Sequence, residues 1–79
     1  MKKIYLAQYC HCVHESSYAT ISIHKTKEGA ENAVKKDKEQ AYLKYLEDKA
    51  EWDKIEPDIP FGEFAKHEDW NVTEAMLEN

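Results

Sequence analysis

The 79 residues include eleven lysines, no arginine and sixteen carboxylates, giving a net charge of −5 with 42% hydrophobic residues. A chain of this length forms one small domain with a thin core, burying roughly 60% of the surface it exposes unfolded. An acidic, arginine-free surface grips nucleic-acid phosphates poorly, no run of about 18 apolar residues could span a membrane, and Lys2-Lys3 leads into no secretory signal, so a cytoplasmic protein that binds neither nucleic acid nor membrane is expected.

Residues 3–24 read as a β-hairpin. Across 3–13, Ile4, Leu6, Gln8, Cys10 and Cys12 share one face, while Tyr5, Ala7, Tyr9, His11 and Val13 share the other. Residues 18–24 alternate, with Ala19, Ile21 and Ile23 as their apolar set. The polar stretch His14-Glu15-Ser16-Ser17 between them suits a short turn. With Glu15 and Ser16 as the loop, Cys12 opposes Ala19 and Cys10 opposes Ile21, and the two apolar sets fall on one face. That face is expected to meet the helix.

Thr26 is the expected N-cap of a helix over 26–55, which must end before Pro57. Ala30, Ala33 and Val34 form its first apolar stripe, and Tyr42, Tyr45, Leu46 and Trp52 a second. Six polar residues, 35–40, separate the two, yet nothing between 30 and 55 is Gly or Pro. At roughly 40 Å such a helix either bends near Asp37 or projects its second half past the sheet, and a continuous or nearly continuous helix is the favoured expectation. Residues 56–69 read as an ordered loop that Ile59, Phe61 and Phe64 can pin to the body. Residues 70–77 read as a last strand, because a two-stranded hairpin alone is marginal. After a helical crossover this strand runs parallel to the second and lies beside the first. The expected fold is α+β, β-β-α-β, with a three-stranded antiparallel sheet of order 2-1-3 and one long helix on one face.

Cys10, Cys12 and His14 would project to one side of a strand, and His24 and His67 could converge with them. Thiolate and imidazole suit zinc. Structural zinc sites, however, take paired ligands two to four residues apart in turns, and no second cysteine pair exists. The two cysteines are therefore expected as free thiols and small buried hydrophobes. Neither His11 nor His14 comes with the helix N-terminus or Gly-rich oxyanion turn of a nucleophilic cysteine, and no phosphate loop or hydrolase motif occurs. No catalytic residue, metal site or cofactor is expected.

Charge is distributed unevenly. Residues 1–50 hold nine lysines and seven acids, whereas residues 51–79 hold two lysines and nine acids. In that acidic third Glu56, Asp58, Glu63, Glu68 and Asp69 interleave with Phe61 and Phe64, a pattern suited to docking on a basic partner. A second candidate surface is the sheet face away from the helix, expected to carry Tyr5, Tyr9 and Tyr18 with His11, Thr20 and His24. Tyrosines are enriched at interfaces, and a homo-oligomer through that face, or through Leu43, Tyr45 and Leu46 of the projecting helix, is the companion expectation.

Ile4-Tyr5-Leu6, Thr26-Lys27-Glu28-Gly29-Ala30 and Trp70-Asn71-Val72-Thr73-Glu74 together give a pattern that resembles small β-β-α-β proteins encoded by bacteriophages and prophages. The 35–54 section is longer than the helix of that pattern. The resemblance implies a protein that binds and blocks a host protein. The leading expectation is a non-catalytic binding module that occludes a basic, nucleic-acid-handling host protein with its acidic C-terminal third. The alternatives are a self-assembling accessory protein using the tyrosine face, and a small Cys/His metal-binding protein.

Overall fold

The computed structural model describes residues 2–77. Its elements run β1 (Lys2–Cys10), β2 (Ala19–His24), α1 (Lys27–Ile55) and β3 (Asp69–Leu77). The three strands form one antiparallel sheet ordered β2-β1-β3, with the single helix on one face. This is the α+β, β-β-α-β arrangement that the alternation of the strands and the long Gly- and Pro-free stretch imply.

β1 ends at Cys10, three residues short of the expected strand end. The Cys12 carbonyl accepts the amides of Glu15 and Ser16, and the Val13 amide donates to the His67 carbonyl at 2.8 Å. These bonds divert the chain into an eight-residue connection, 11–18. The hairpin register accordingly differs from Cys10–Ile21 and Cys12–Ala19: Leu6 faces Ile23, Ala7 faces Ser22, Gln8 faces Thr20 and Tyr9 faces Ala19. A bulge between Ala7 and Gln8 leaves Ile21 as the extra residue.

α1 starts where the Thr26 hydroxyl accepts the Gly29 amide at 3.1 Å, and it runs unbroken for 29 residues, about 43 Å at 1.5 Å per residue. Only its first part lies on the sheet. Gly29 passes so close to β2 that a Cβ there would stand 3.2 Å from His24 Nδ1 and 3.1 Å from Thr26 Oγ1. Ala30 of the helix and Ala7 of the central strand are both fully buried.

The helix therefore covers the face of Tyr5, Ala7, Tyr9, Ser22, His24, Trp70 and Val72, opposite to the sequence expectation. The reason is steric. A helix presenting Gly29, Ala30 and Ala33 approaches closely only where the sheet offers a small central residue, and Ala7, between Tyr5 and Tyr9, provides one. The aliphatic residues Ile4, Leu6, Ile23, Ala75 and Leu77 are left on the uncovered face. The fully buried hydrophobic residues among those described are Ala7, Cys10 and Ala30, so the core is thin even for this length.

Candidate docking surface

The far half of α1 has no sheet beneath it, and the loop 56–68 folds back along it instead. The Trp52 indole N–H donates to the Ile59 carbonyl at 2.8 Å, and the Tyr45 hydroxyl donates to the Gly62 carbonyl at 2.6 Å. Gly62 sits at φ +111°, a conformation that side chains rarely adopt, and it turns the loop toward the helix. Phe61 and Phe64 then enter a continuous aromatic string. Trp52 to Phe61 spans 5.9 Å, Phe61 to Tyr45 5.4 Å, Tyr45 to Phe64 5.5 Å, Phe64 to Trp70 6.1 Å and Trp70 to Tyr9 5.1 Å between ring centroids. Its inner end is anchored by the Trp70 indole N–H, which donates to Asp37 Oδ2 at 2.8 Å, and by Lys38, whose ammonium lies 5.6 Å from the Trp70 ring centroid.

Between this string and the helix opens a cleft of about 340 Å³. Tyr9, Tyr45, Phe61 and Phe64 contribute its aromatic lining, and Asp48, Glu63 and Glu68 bring carboxylates to it, with Lys44 as the one cation. Glu68 is held in place by the Tyr9 hydroxyl, which donates to Glu68 Oε2 at 2.6 Å. Burial, then the hydrogen bond to Glu68, raise the Tyr9 phenol to a pKa of about 12. Aromatic faces under carboxylates favour a cationic side chain, which gains ring quadrupole attraction and charge-assisted hydrogen bonds together.

The sequence-derived site residues divide between roles. Glu56, Asp58 and Glu63 are exposed on the arm made by the loop and the end of α1, and Glu56 also closes the helix through its amide to the Trp52 carbonyl at 2.7 Å. Phe61 and Phe64 are half-buried in the aromatic string, so they form the floor of the cleft and do not project as anchors. Asp69 lies at the start of β3, where the Tyr18 hydroxyl donates to its carboxylate; that bond raises the Tyr18 phenol above its ordinary value. Tyr5 and Tyr9 lie on the helix side and are half-buried, whereas Tyr18 is exposed before β2 and bonded to Asp69. The three tyrosines do not form one surface, and the expected tyrosine face is corrected on this point. Lys44 and Asp48 were missed as cleft residues; their i, i+3 and i, i+4 spacing puts them on one helix face with Ala41 and Tyr45 but does not say what folds against it.

His11, Cys12 and His67 line one open surface pocket, but Cys10 and His24 are not part of its lining. The fully buried Cys10 directs its thiol to the Ser16 carbonyl at 3.2 Å. His24 lies on the opposite face of the sheet, bonded to Ser22. His14 and His67 meet edge to face at 5.6 Å. Among the described residues no three His, Cys, Asp or Glu side chains form a group that could hold a metal ion, and no helix is long and apolar enough to cross a membrane.

The fold and surface define an α+β domain with an acid-rimmed aromatic cleft on a projecting arm. No protein-family model, curated protein or solved structure matches the chain.

Proposed function

We infer that the protein is a non-catalytic binding module that occludes a basic surface of a host protein, acting in the cytoplasm as an inhibitor or modulator of the kind its resemblance to small phage-encoded proteins implies. The observation that carries this reading is the cleft in which Asp48, Glu63 and Glu68 stand around Tyr9, Tyr45, Phe61 and Phe64. One arginine or lysine of the partner enters it, while the exposed Glu56 and Asp58 steer the approach. Residues 44–68 carry four lysines against eight carboxylates, a balance of −4 out of the net −5, so the field is concentrated on the arm. A nucleic-acid-handling partner fits the same chemistry, since such proteins expose basic faces; direct nucleic-acid binding by this chain does not.

The test uses a labelled peptide with one arginine flanked by lysines, followed by fluorescence polarisation across a salt series. Glu63→Gln combined with Asp48→Asn is expected to weaken binding about tenfold and to flatten its salt dependence. Glu28→Gln combined with Glu31→Gln, the same two-charge change in exposed acids at the sheet end of the helix, is expected to leave binding unchanged. Equal losses from both variants would reduce the effect to net charge and contradict the reading.

A further inference from the structure

The cleft between the loop and α1 keeps its negative charge unneutralised. The ion pairs among the described residues are Lys3–Glu74, Lys27–Glu31 and Lys49–Asp53, so Lys44 is paired with none of Asp48, Glu63 and Glu68. Glu68 is half-buried, and the Tyr9 hydroxyl donates to one of its oxygens, Oε2, at 2.6 Å. With the Tyr9 phenol raised to about 12, that hydroxyl stays a donor throughout the physiological range. The Glu68 carboxylate is therefore oriented before any ligand arrives, with Oε1 left to accept a hydrogen bond.

The aromatic lining offers ring planes at different inclinations. Phe61 is tilted 50° and Phe64 56° to Tyr45, at centroid separations of 5.4 and 5.5 Å. The Tyr45 hydroxyl is committed to the Gly62 carbonyl, so this residue adds π surface to the cleft and not a hydrogen-bond donor. A lining of rings and carboxylates separates the two cations that a basic protein displays. A guanidinium is flat and weakly hydrated; it stacks on a ring while its N–H groups point sideways, in its own plane, to carboxylates. An ammonium is compact and strongly hydrated, and it must shed more water to enter an aromatic-lined cleft.

We propose that the cleft selects arginine over lysine, stacking the guanidinium on its aromatic lining and setting an N–H group on Glu68, with Tyr9 as the positioning residue behind the preference. The preference rests on the binding function proposed above and narrows it: the partner must present arginine. The volume of about 340 Å³ lies at the small end of the range for ligand pockets and suits one side chain. Asp48 and Glu63, both exposed, accept from the remaining N–H groups.

Two labelled peptides of equal length and net charge test the preference: one carries a central arginine flanked by lysines, the other a lysine at that centre. Steering by the acidic arm depends on net charge and is common to both, so the ratio of their dissociation constants reads the cleft. Fluorescence polarisation at low salt is expected to show the arginine peptide binding about tenfold more tightly. Tyr9→Phe keeps the ring and removes the hydroxyl, and is expected to bring the two peptides within about twofold of each other. Loss of packing alone would weaken both peptides alike and leave the ratio at about tenfold. Glu68→Gln, at the other end of the same hydrogen bond, is expected to narrow the ratio likewise, which serves if Tyr9→Phe disturbs the sheet. Equal affinities of the two peptides for the wild-type protein overturn the preference while the binding function stands. Binding of neither peptide overturns both. A tenfold ratio retained in both variants overturns the assignment to the Tyr9–Glu68 pair.

Discussion

Tyr9 joins the sheet to the arm through a single hydroxyl. It lies on the helix side of β1, packs its ring at a tilt against Trp70 with centroids 5.1 Å apart and donates at 2.6 Å to Glu68, which lies in the acidic loop. Unfolded, a tyrosine ionises near 10, whereas in the folded chain burial and the Glu68 bond move it to about 12. Between those values the unfolded chain holds fewer protons than the folded one. The contribution of Tyr9 to stability is therefore complete below pH 10 and is lost as the pH rises toward 12. Urea melts at stepped pH should show the wild type losing stability across that window. Tyr9→Phe should lose measurably less, the remainder coming from groups such as Tyr18, whose phenol is raised in the same direction. Parallel curves for the two proteins would show that the Tyr9–Glu68 bond does not couple the sheet to the loop.

At the scale of the elements, the halves of α1 are stabilised by different neighbours. The first lies on Ala7 and the sheet; the second is held by aromatic contacts with the loop. Phe64 is the junction, 5.0 Å from Tyr42, 5.5 Å from Tyr45 and 6.1 Å from Trp70 between centroids. Phe64→Ala should cost about 2 kcal/mol, below the usual core value because the ring is half-buried. Amide hydrogen exchange should accelerate across residues 42–55 while residues 30–38 stay protected. A uniform acceleration would mean that the helix opens as one unit. The order of the elements was legible in the sequence because strand alternation, the Thr26 cap and the uninterrupted 30–55 stretch are local signals. The face that the helix covers was not. β1 carries apolar residues on both sides, and the choice depends on a close approach between Gly29–Ala30 and Ala7, a contact between distant segments. The interleaving of acids and aromatic residues in the loop was legible for the same local reason. Lys44 and Asp48 were not, since only the folding back of residues 56–68 brings them beside Glu63 and Glu68.

The whole molecule is elongated, with Cα extents of 56 × 24 × 13 Å and a radius of gyration of 16.1 Å, against about 12 Å for a compact chain of this length. Its properties are segregated along the long axis. One end is a thin sheet with an aliphatic outer face; the other is an arm with most of the excess negative charge and the aromatic cleft. This division leaves an uncovered aliphatic sheet face at one end and, at the other, the acidic arm on which the proposed binding function rests. The proposed binding function depends on the arm alone, which makes the location of binding more informative than its strength. Titrating the isotope-labelled protein with the arginine-containing peptide, and following the backbone amides by NMR, tests this most directly. Shifts confined to residues 44–48 and 61–68 are predicted. Shifts centred on Leu6, Ile23 and Ala75, or spread evenly over every exposed carboxylate, would contradict the account.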